Sequence, residues 1–252
     1  MSAPYGVLSK FYSRLIGGSD YDEWTDYVVS LVEKYAPEKH GADLACGSGT
    51  VTRKLFKSGF SVIGSDISAD MLRSAEEENV RNKTSVKYIL ADMKTLRLFD
   101  KAAFITAVND GLNYVSGKDL LKTFKNFNKN LIKGGVIVFD ISTEYKLKTL
   151  IDGEMYGSNG EDLSYMWFSD YDDKKNVVNY TLTFFEKNGN YYSRYDEYDE
   201  QFVHSVNDIK SALSDAGFSI LLLGNGVIIR KIFGKFAAYY FRSTRIRTFK
   251  SR

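Results

Sequence analysis

The chain has 252 residues, 44% hydrophobic and 26% charged, with a formal net charge of +2, which suits one large α/β domain or a domain with an insertion and excludes a disordered or fibrous chain. Its single cysteine, Cys46, excludes an internal disulfide and points to a reducing, cytoplasmic setting; no basic start precedes an apolar run as in a signal peptide, and no uncharged stretch reaches the ~18 apolar residues of a membrane span. Eight basic residues follow position 225 and no acid follows Asp215, so an acidic body carries a basic tail. Such a tail reads either as a contact for a polyanion such as RNA or as a solvated face, and no recognised nucleic-acid module accompanies it.

Taken in order, Phe11-Tyr12 and Gly17-Gly18 suggest a short helix and a turn. Trp24, Tyr27, Val28, Leu31, Val32 and Tyr35 recur at helical spacing, predicting a helix over 22–36 that stops at Pro37. Residues 41–46 read as a first strand, 50–58 as a crossover helix and Phe60 to Gly64 as a second strand. Ser68 is placed to cap a helix from Ala69 to about Val80 that turns Met71, Leu72 and Ala75 inward. Val86 to Leu90 and Ala102 to Val108 follow as third and fourth strands. A helix with Leu120, Phe124, Phe127 and Leu131 on one face is expected to close at Gly134-Gly135. Val136 to Phe139 is a fifth strand, apolar throughout, as expected of a strand covered on both faces.

The helical period then disappears between about Tyr165 and His204. Asp172 to Asn176 and Lys187 to Asn190 are turn signals, and Val178, Tyr180, Leu182 and Phe184 alternate with polar residues between them. The pattern predicts a three-stranded antiparallel meander. A helix from Val206 to Ala216 and strands at Phe218 to Leu223 and Arg245 to Lys250 complete a doubly wound, mostly parallel, seven-stranded Rossmann-like sheet. The expected division is a domain of residues 1–150 and 205–252, interrupted by a β insertion at 151–204.

The chemistry gathers at strand ends. Asp43-Leu44-Ala45-Cys46-Gly47-Ser48-Gly49-Thr50 places two glycines at a strand-to-helix turn, where backbone can approach a ligand and the helix start favours an anion. Asp66 lies 17 residues after Gly49, near the distance at which a ribose-binding carboxylate sits in a βαβ nucleotide site. Asp92, Asn109-Asp110 and Asp140 close later strands. Position 52, where a dinucleotide fingerprint needs its third glycine, holds Thr52, which argues against NAD.

The stretch Asp43 to Thr50 resembles the first motif of the class I S-adenosylmethionine (SAM)-dependent methyltransferases. Gly64-Ser65-Asp66 with Met71 resembles their second, and Leu90 to Met93 and Leu131 to Phe139 fall where later motifs should. The layout is similar to small-molecule enzymes of the amino-sugar and glycine type. The resemblance implies that backbone at Ala45, Cys46, Gly47 and Gly49 wraps the methionine half of SAM, with Asp43 reaching its ammonium. It implies Asp66 on the ribose, Ile67 and Met71 around the adenine, and Asp92 and Met93 at the adenine amino group. Asn109 would lie under the methionine portion, with Tyr12 and Tyr21 closing over it. From the residues alone, Asp66 and Asp92 also read as caps, and Ile67 and Met71 as core.

Methyl transfer from a sulfonium to nitrogen or oxygen needs alignment above all, and an amine acceptor must also shed a proton. Asp110, Tyr12 and His204 are the candidate bases. The relatives' His-x-x-Arg-x-Tyr pattern near the meander's end is here replaced by Asp199, Phe202 and His204. The expectation is a metal-free monomer or homodimer that converts SAM to S-adenosylhomocysteine on a small-molecule acceptor, with no nucleic acid or membrane partner. RNA methylation through the tail and SAM binding without turnover are the alternatives.

Overall fold

The computed structural model describes residues 6–15, 19–220, 227–230 and 235–241. Helices α1 (Leu8–Leu15) and α2 (Ser19–Tyr35) lead into β1 (His40–Leu44). There follow α3 (Thr50–Lys57), β2 (Ser61–Asp66), α4 (Ala69–Asn82), β3 (Lys87–Leu90), β4 (Ala102–Ala107), α5 (Leu120–Asn130) and β5 (Leu131–Ile141). The five strands are parallel in the order β3-β2-β1-β4-β5. The chain moves outward from β1 to β3 and then returns to the other side of β1 with β4. That reversal opens a crevice above β1 and β4, where ligands bind in sheets of this type.

Alternation along the strands supplies both layers. Val62, Phe104, Val136 and Val138 pack against the α2 and α3 residues Val28, Val32, Val51 and Leu55. Ile105, Ala107, Ile137 and Phe139 pack on the opposite face against Phe124 and Phe127 of α5. Leu131, expected on the last turn of α5, starts β5 instead, opposite Ala102. The pairing shifts register between Ala102 and Phe104, and Gly134 at φ 85° forms the irregularity. The two glycines therefore bend a strand rather than end a helix.

After β5, a π-helical turn (Lys146–Leu150) leads into a separate antiparallel sheet. It has four strands in order, not the expected three: β6 (Met155–Asn159), β7 (Leu163–Asp172), β8 (Val177–Asn188) and β9 (Tyr191–Phe202). β6 escapes the sequence pattern because it is short, solvent-facing and contains Gly157, whose missing side chain admits the carbonyl of Tyr165. The inner face of this sheet is not closed by the parallel sheet alone. Val178, Leu182 and Phe184 share a core with Leu8 and Phe11 of α1 and with Leu147 and Ile151. Phe11 stacks on Phe184 at 4.8 Å. Glu197 caps α1 by accepting from the Gly6 and Leu8 amides at 2.9 and 2.7 Å.

α6 (Val206–Asp215), capped by Ser205, then returns to the first sheet. β10 (Ser219–Ile220), β11 (Val227–Arg230) and β12 (Lys235–Phe241) extend it. β12 runs parallel to β5, with Ala237 opposite Ile137, and β11 is antiparallel to β12. Among the described residues the sheet thus has eight strands where seven were expected. The expected strand at 245–250, the Gly17-Gly18 turn and the basic tail beyond Phe241 lie outside the described residues. No described helix is long and apolar enough to cross a membrane.

Candidate active site

The loop after β1 takes left-handed backbone at alternate positions: Ala45 at φ 52°, Gly47 at φ 54° and Gly49 at φ 75°. For a residue with a Cβ this conformation costs roughly 1–2 kcal/mol, so Ala45 holds a strain that the two glycines avoid. A Cβ at Gly47 would meet nothing, because that position faces the open cavity above the loop. A Cβ at Gly49 or Gly64 would collide with Tyr88 of β3, whose ring fills the space under the turn. Arg53, itself buried, donates to the Ser48 carbonyl and ties the loop to α3. Neither Tyr88 nor Arg53 was legible as a site residue, since both act by supporting the loop from below.

Asp43, at the end of β1, is 1% exposed. Its two oxygens accept from Thr106 of β4 and Thr52 of α3, both at 2.6 Å. Burial pushes its carboxyl up to about 6 against the pull of those two hydroxyls, with the Asp66 charge adding to the rise. Asp66 ends β2. One of its oxygens accepts from the Gly47 amide at 2.8 Å and the other from the Ser68 amide at 2.9 Å. Burial raises its pKa as well, while those amides hold it down. Each oxygen keeps lone pairs for a ligand. Cap and ligand acceptor are therefore compatible roles for Asp66. The Ser68 hydroxyl, in turn, accepts from the Met71 amide and caps α4.

These groups surround a cavity of about 250 Å³ whose lining includes Tyr12, Tyr21, Asp43, Ala45, Cys46, Gly47, Asp66, Ile67, Met71, Asp92, Met93 and Asn109. Met71 is 1% exposed and belongs to the core as well, whereas Ile67 is 51% exposed at the rim. Asp92 turns one oxygen back to the Lys94 amide at 2.8 Å and lies 3.5 Å from the Lys94 ammonium. Burial pushes the Cys46 thiol well above its ordinary value, which suits a packing residue rather than a nucleophile. Gly49 sits just beneath, its φ opening the start of α3.

Beside this cavity lies a second, of about 460 Å³, roofed by the antiparallel sheet. Tyr156, Tyr165, Trp167 and Tyr180 form its aromatic walls, and Asp110, Lys146, Asp199 and Gln201 supply polar groups. Tyr12, Asn109 and Tyr114 line both cavities. Asn109 donates through its side-chain amide to the Tyr12 hydroxyl, so α1 meets the end of β4 at this junction. Asn109 and Asp110 both have positive φ, at 64° and 63°, and such strain gathers at functional turns. Asn113, readable in sequence only as a loop residue, accepts from the Ser142 amide at 2.8 Å and donates to the Ser142 and Phe202 carbonyls. It rivets the turn, the end of β5 and the end of β9 together.

Of the three expected bases, Asp110 and Tyr12 line the second cavity and His204 does not. His204 is buried beside the backbone of Leu112 and Val115, and burial lowers its pKa. It lines a different cleft with Ser116, Phe202 and Asp208. The cause is local: β9 ends at Phe202 and Ser205 caps α6, so the chain turns at His204 and carries it behind the junction.

The first cavity fits SAM on this geometry. It has an open face at Gly47, a buried carboxylate with spare lone pairs at Asp66, and an apolar flank at Met71. Comparison with known proteins bears on the family. The sequence pattern of the family described as "Methyltransferase domain" matches residues 42–135. The chain is 31% identical over 219 residues to the "Putative methyltransferase YqeM" of Bacillus subtilis (strain 168), covering 86% of this chain and 87% of that one. It is 28% identical over 125 residues to the dTDP-3-amino-3,6-dideoxy-alpha-D-glucopyranose N,N-dimethyltransferase of Streptomyces fradiae, about half of each chain. The crystal structure of a SAM-dependent methyltransferase from Clostridium acetobutylicum ATCC 824 is similar, with a TM-score of 0.76 and 28% identity across 86% of this chain and 89% of that one. Motif, fold and a relative matched along most of both chains leave one conclusion: this chain belongs to the SAM-dependent methyltransferases.

Proposed function

We propose that this enzyme moves a methyl group from SAM to nitrogen or oxygen of a small-molecule acceptor held in the aromatic chamber under the antiparallel sheet. One observation carries the reading: the loop cavity and the chamber share Tyr12, Asn109 and Tyr114, so a donor in one meets an acceptor in the other at that junction. When bound, SAM supplies a methyl group already activated on a sulfonium. The chain's residues then have to align, enclose and neutralise. Backbone at Ala45, Cys46, Gly47 and Gly49 wraps the methionine half, and Asp43 balances its ammonium through the charge that Thr52 and Thr106 stabilise. Asp66 accepts from the ribose hydroxyls. Ile67, Met71, Asp92 and Met93 surround the adenine. Tyr12, Tyr21 and Asn109 close over the donor, and Asp110 faces the acceptor. Residues 151–204 act as the lid, with α1 as its hinge-side strut. The amino-sugar substrate of the Streptomyces fradiae relative supports a small polar acceptor.

The assignment has a pH signature. With the Asp43 carboxyl near 6, the charged form that receives the cofactor's ammonium is full above that pH and is lost below it. SAM affinity measured by calorimetry is expected to be level between about pH 7 and 6.5, where the cofactor's ammonium and Asp43 are both largely charged. It should then fall by up to tenfold per pH unit as Asp43 takes up its proton. An affinity that holds steady down to about pH 4.5 would remove Asp43 from the cofactor's charge balance.

A further inference from the structure

We propose that the acceptor is an amine that enters the chamber as its ammonium, and that Asp199 is the base that takes its proton. This deepens the reading above and rests on it, since it presupposes that the chamber holds the acceptor. The charged groups lining the chamber are Asp110, Lys146 and Asp199. Lys146 lies 3.5 Å from Asp110 and donates to the Ser142 hydroxyl at 2.6 Å, so those two charges answer each other. Among the described residues Asp199 has no cation within ion-pair distance. Its oxygens instead accept from the Tyr114 hydroxyl at 2.9 Å and the Glu200 amide at 3.1 Å. With both aspartates ionised, the lining carries one negative charge too many.

A carboxylate in a partly desolvated chamber is costly without a counter-charge, and an ammonium ligand supplies one. The walls suit the same ligand, since Tyr156, Tyr165, Trp167 and Tyr180 line the chamber and aromatic rings attract a cation. Position selects Asp199 over Asp110 as the base. Asp110 is engaged by Lys146, whereas Asp199 is tethered to Tyr114, a residue shared by both cavities. Burial pushes the Asp199 carboxyl up to about 6, with the charges of Glu197 and Glu200 adding to the rise and the Tyr114 hydroxyl opposing it. Tyr180 also faces it and has its own ionisation suppressed by burial and by the charges of Asp110 and Asp199. A base with a pKa just below working pH is ionised and still able to accept a proton.

The step balances. An Asp199 oxygen takes the proton from the acceptor's ammonium, and the freed nitrogen lone pair forms a bond to the donor methyl carbon. The carbon–sulfur bond breaks with its electron pair left on sulfur, giving a neutral thioether and a methylated ammonium. The proton on Asp199 passes to solvent after product leaves.

The test uses the full chain held saturated with S-adenosylhomocysteine at each pH and two matched pairs of probes, cyclohexylamine against cyclohexanol and D-glucosamine against D-glucose. Affinities are read by saturation-transfer NMR. At about pH 7 the amine of each pair is expected to bind at least tenfold more tightly than the alcohol. The preference should collapse at about pH 5, where Asp199 is protonated while the amines stay charged. It should be lost at both pH values in Asp199→Asn and largely kept in Asp199→Glu. Asp199→Asn should still bind S-adenosylhomocysteine like the wild type, which shows that it folds. Equal binding of amine and alcohol, no binding of either, or an amine preference that survives Asp199→Asn overturns the proposal and leaves the cofactor reading standing. Failure of S-adenosylhomocysteine itself to bind the wild type removes both.

Discussion

Asp66→Ala is expected to weaken SAM and S-adenosylhomocysteine binding by a hundredfold or more. Two losses combine. The proposed ribose contacts are hydrogen bonds to a charged acceptor, each worth about 1.5–3 kcal/mol, and about 2.7 kcal/mol already corresponds to a hundredfold. The same carboxylate also receives the Gly47 and Ser68 amides. Removing it cuts the Gly47 tie to β2, leaving the Cys46 amide on the Ser65 carbonyl at 3.0 Å, and strands the buried Ser68 amide and the half-buried Gly47 amide, so the loop loses part of its preset shape. Asp66→Asn separates the two effects. An amide oxygen can still accept from one backbone group, so the loop is partly held while the charge is gone, and an intermediate loss is expected. Calorimetry on folded variants reads both, and equal affinity for Asp66→Ala and wild type would refute the assignment.

Phe184→Ala is expected to cost about 3–5 kcal/mol of stability, the usual range for emptying a buried aromatic site. Phe184 is fully buried, stacked on Phe11 and tilted against Tyr165 at 6.3 Å. The loss should be uneven. The contact joins the antiparallel sheet to α1, so hydrogen exchange should speed up first in α1 and in β7 to β9 and last in the parallel sheet. SAM affinity should fall only through Tyr12, which α1 carries to Asn109. Denaturant unfolding with exchange by mass spectrometry checks this. Unchanged protection of α1 would mean that the antiparallel sheet does not hold it.

The parallel sheet was legible because short strand-like runs alternate with amphipathic helices, the last of them, Val136 to Phe139, apolar throughout, and polar residues gather at the strand ends. Asp43, Asp66, Asp92 and Asn109 could be placed around one cavity from that rule alone. What was hidden depends on contacts between distant segments. Glu197 caps a helix whose residues lie some 190 positions earlier in the chain. Tyr88 and Arg53 look like ordinary strand and helix residues until the space left by Gly49 is seen. Asn113 gives no sign that its amide spans three elements. His204 misled because nearness to the lid in sequence does not fix the direction of a side chain at a strand end. Asp199 was visible only as a departure from the relatives' pattern, and its chemistry emerged once the chamber around it was known.

In the proposed complex SAM lies in the glycine-loop cavity with its reactive end toward the chamber. Diffraction from crystals grown with S-adenosylhomocysteine tests it most directly. The predicted result is density with the ribose on Asp66, the adenine between Ile67 and Met71, and the sulfur at the junction of Tyr12, Asn109 and Tyr114. Density with the adenine under Trp167 and Tyr180, or in the cleft beside His204, would contradict it.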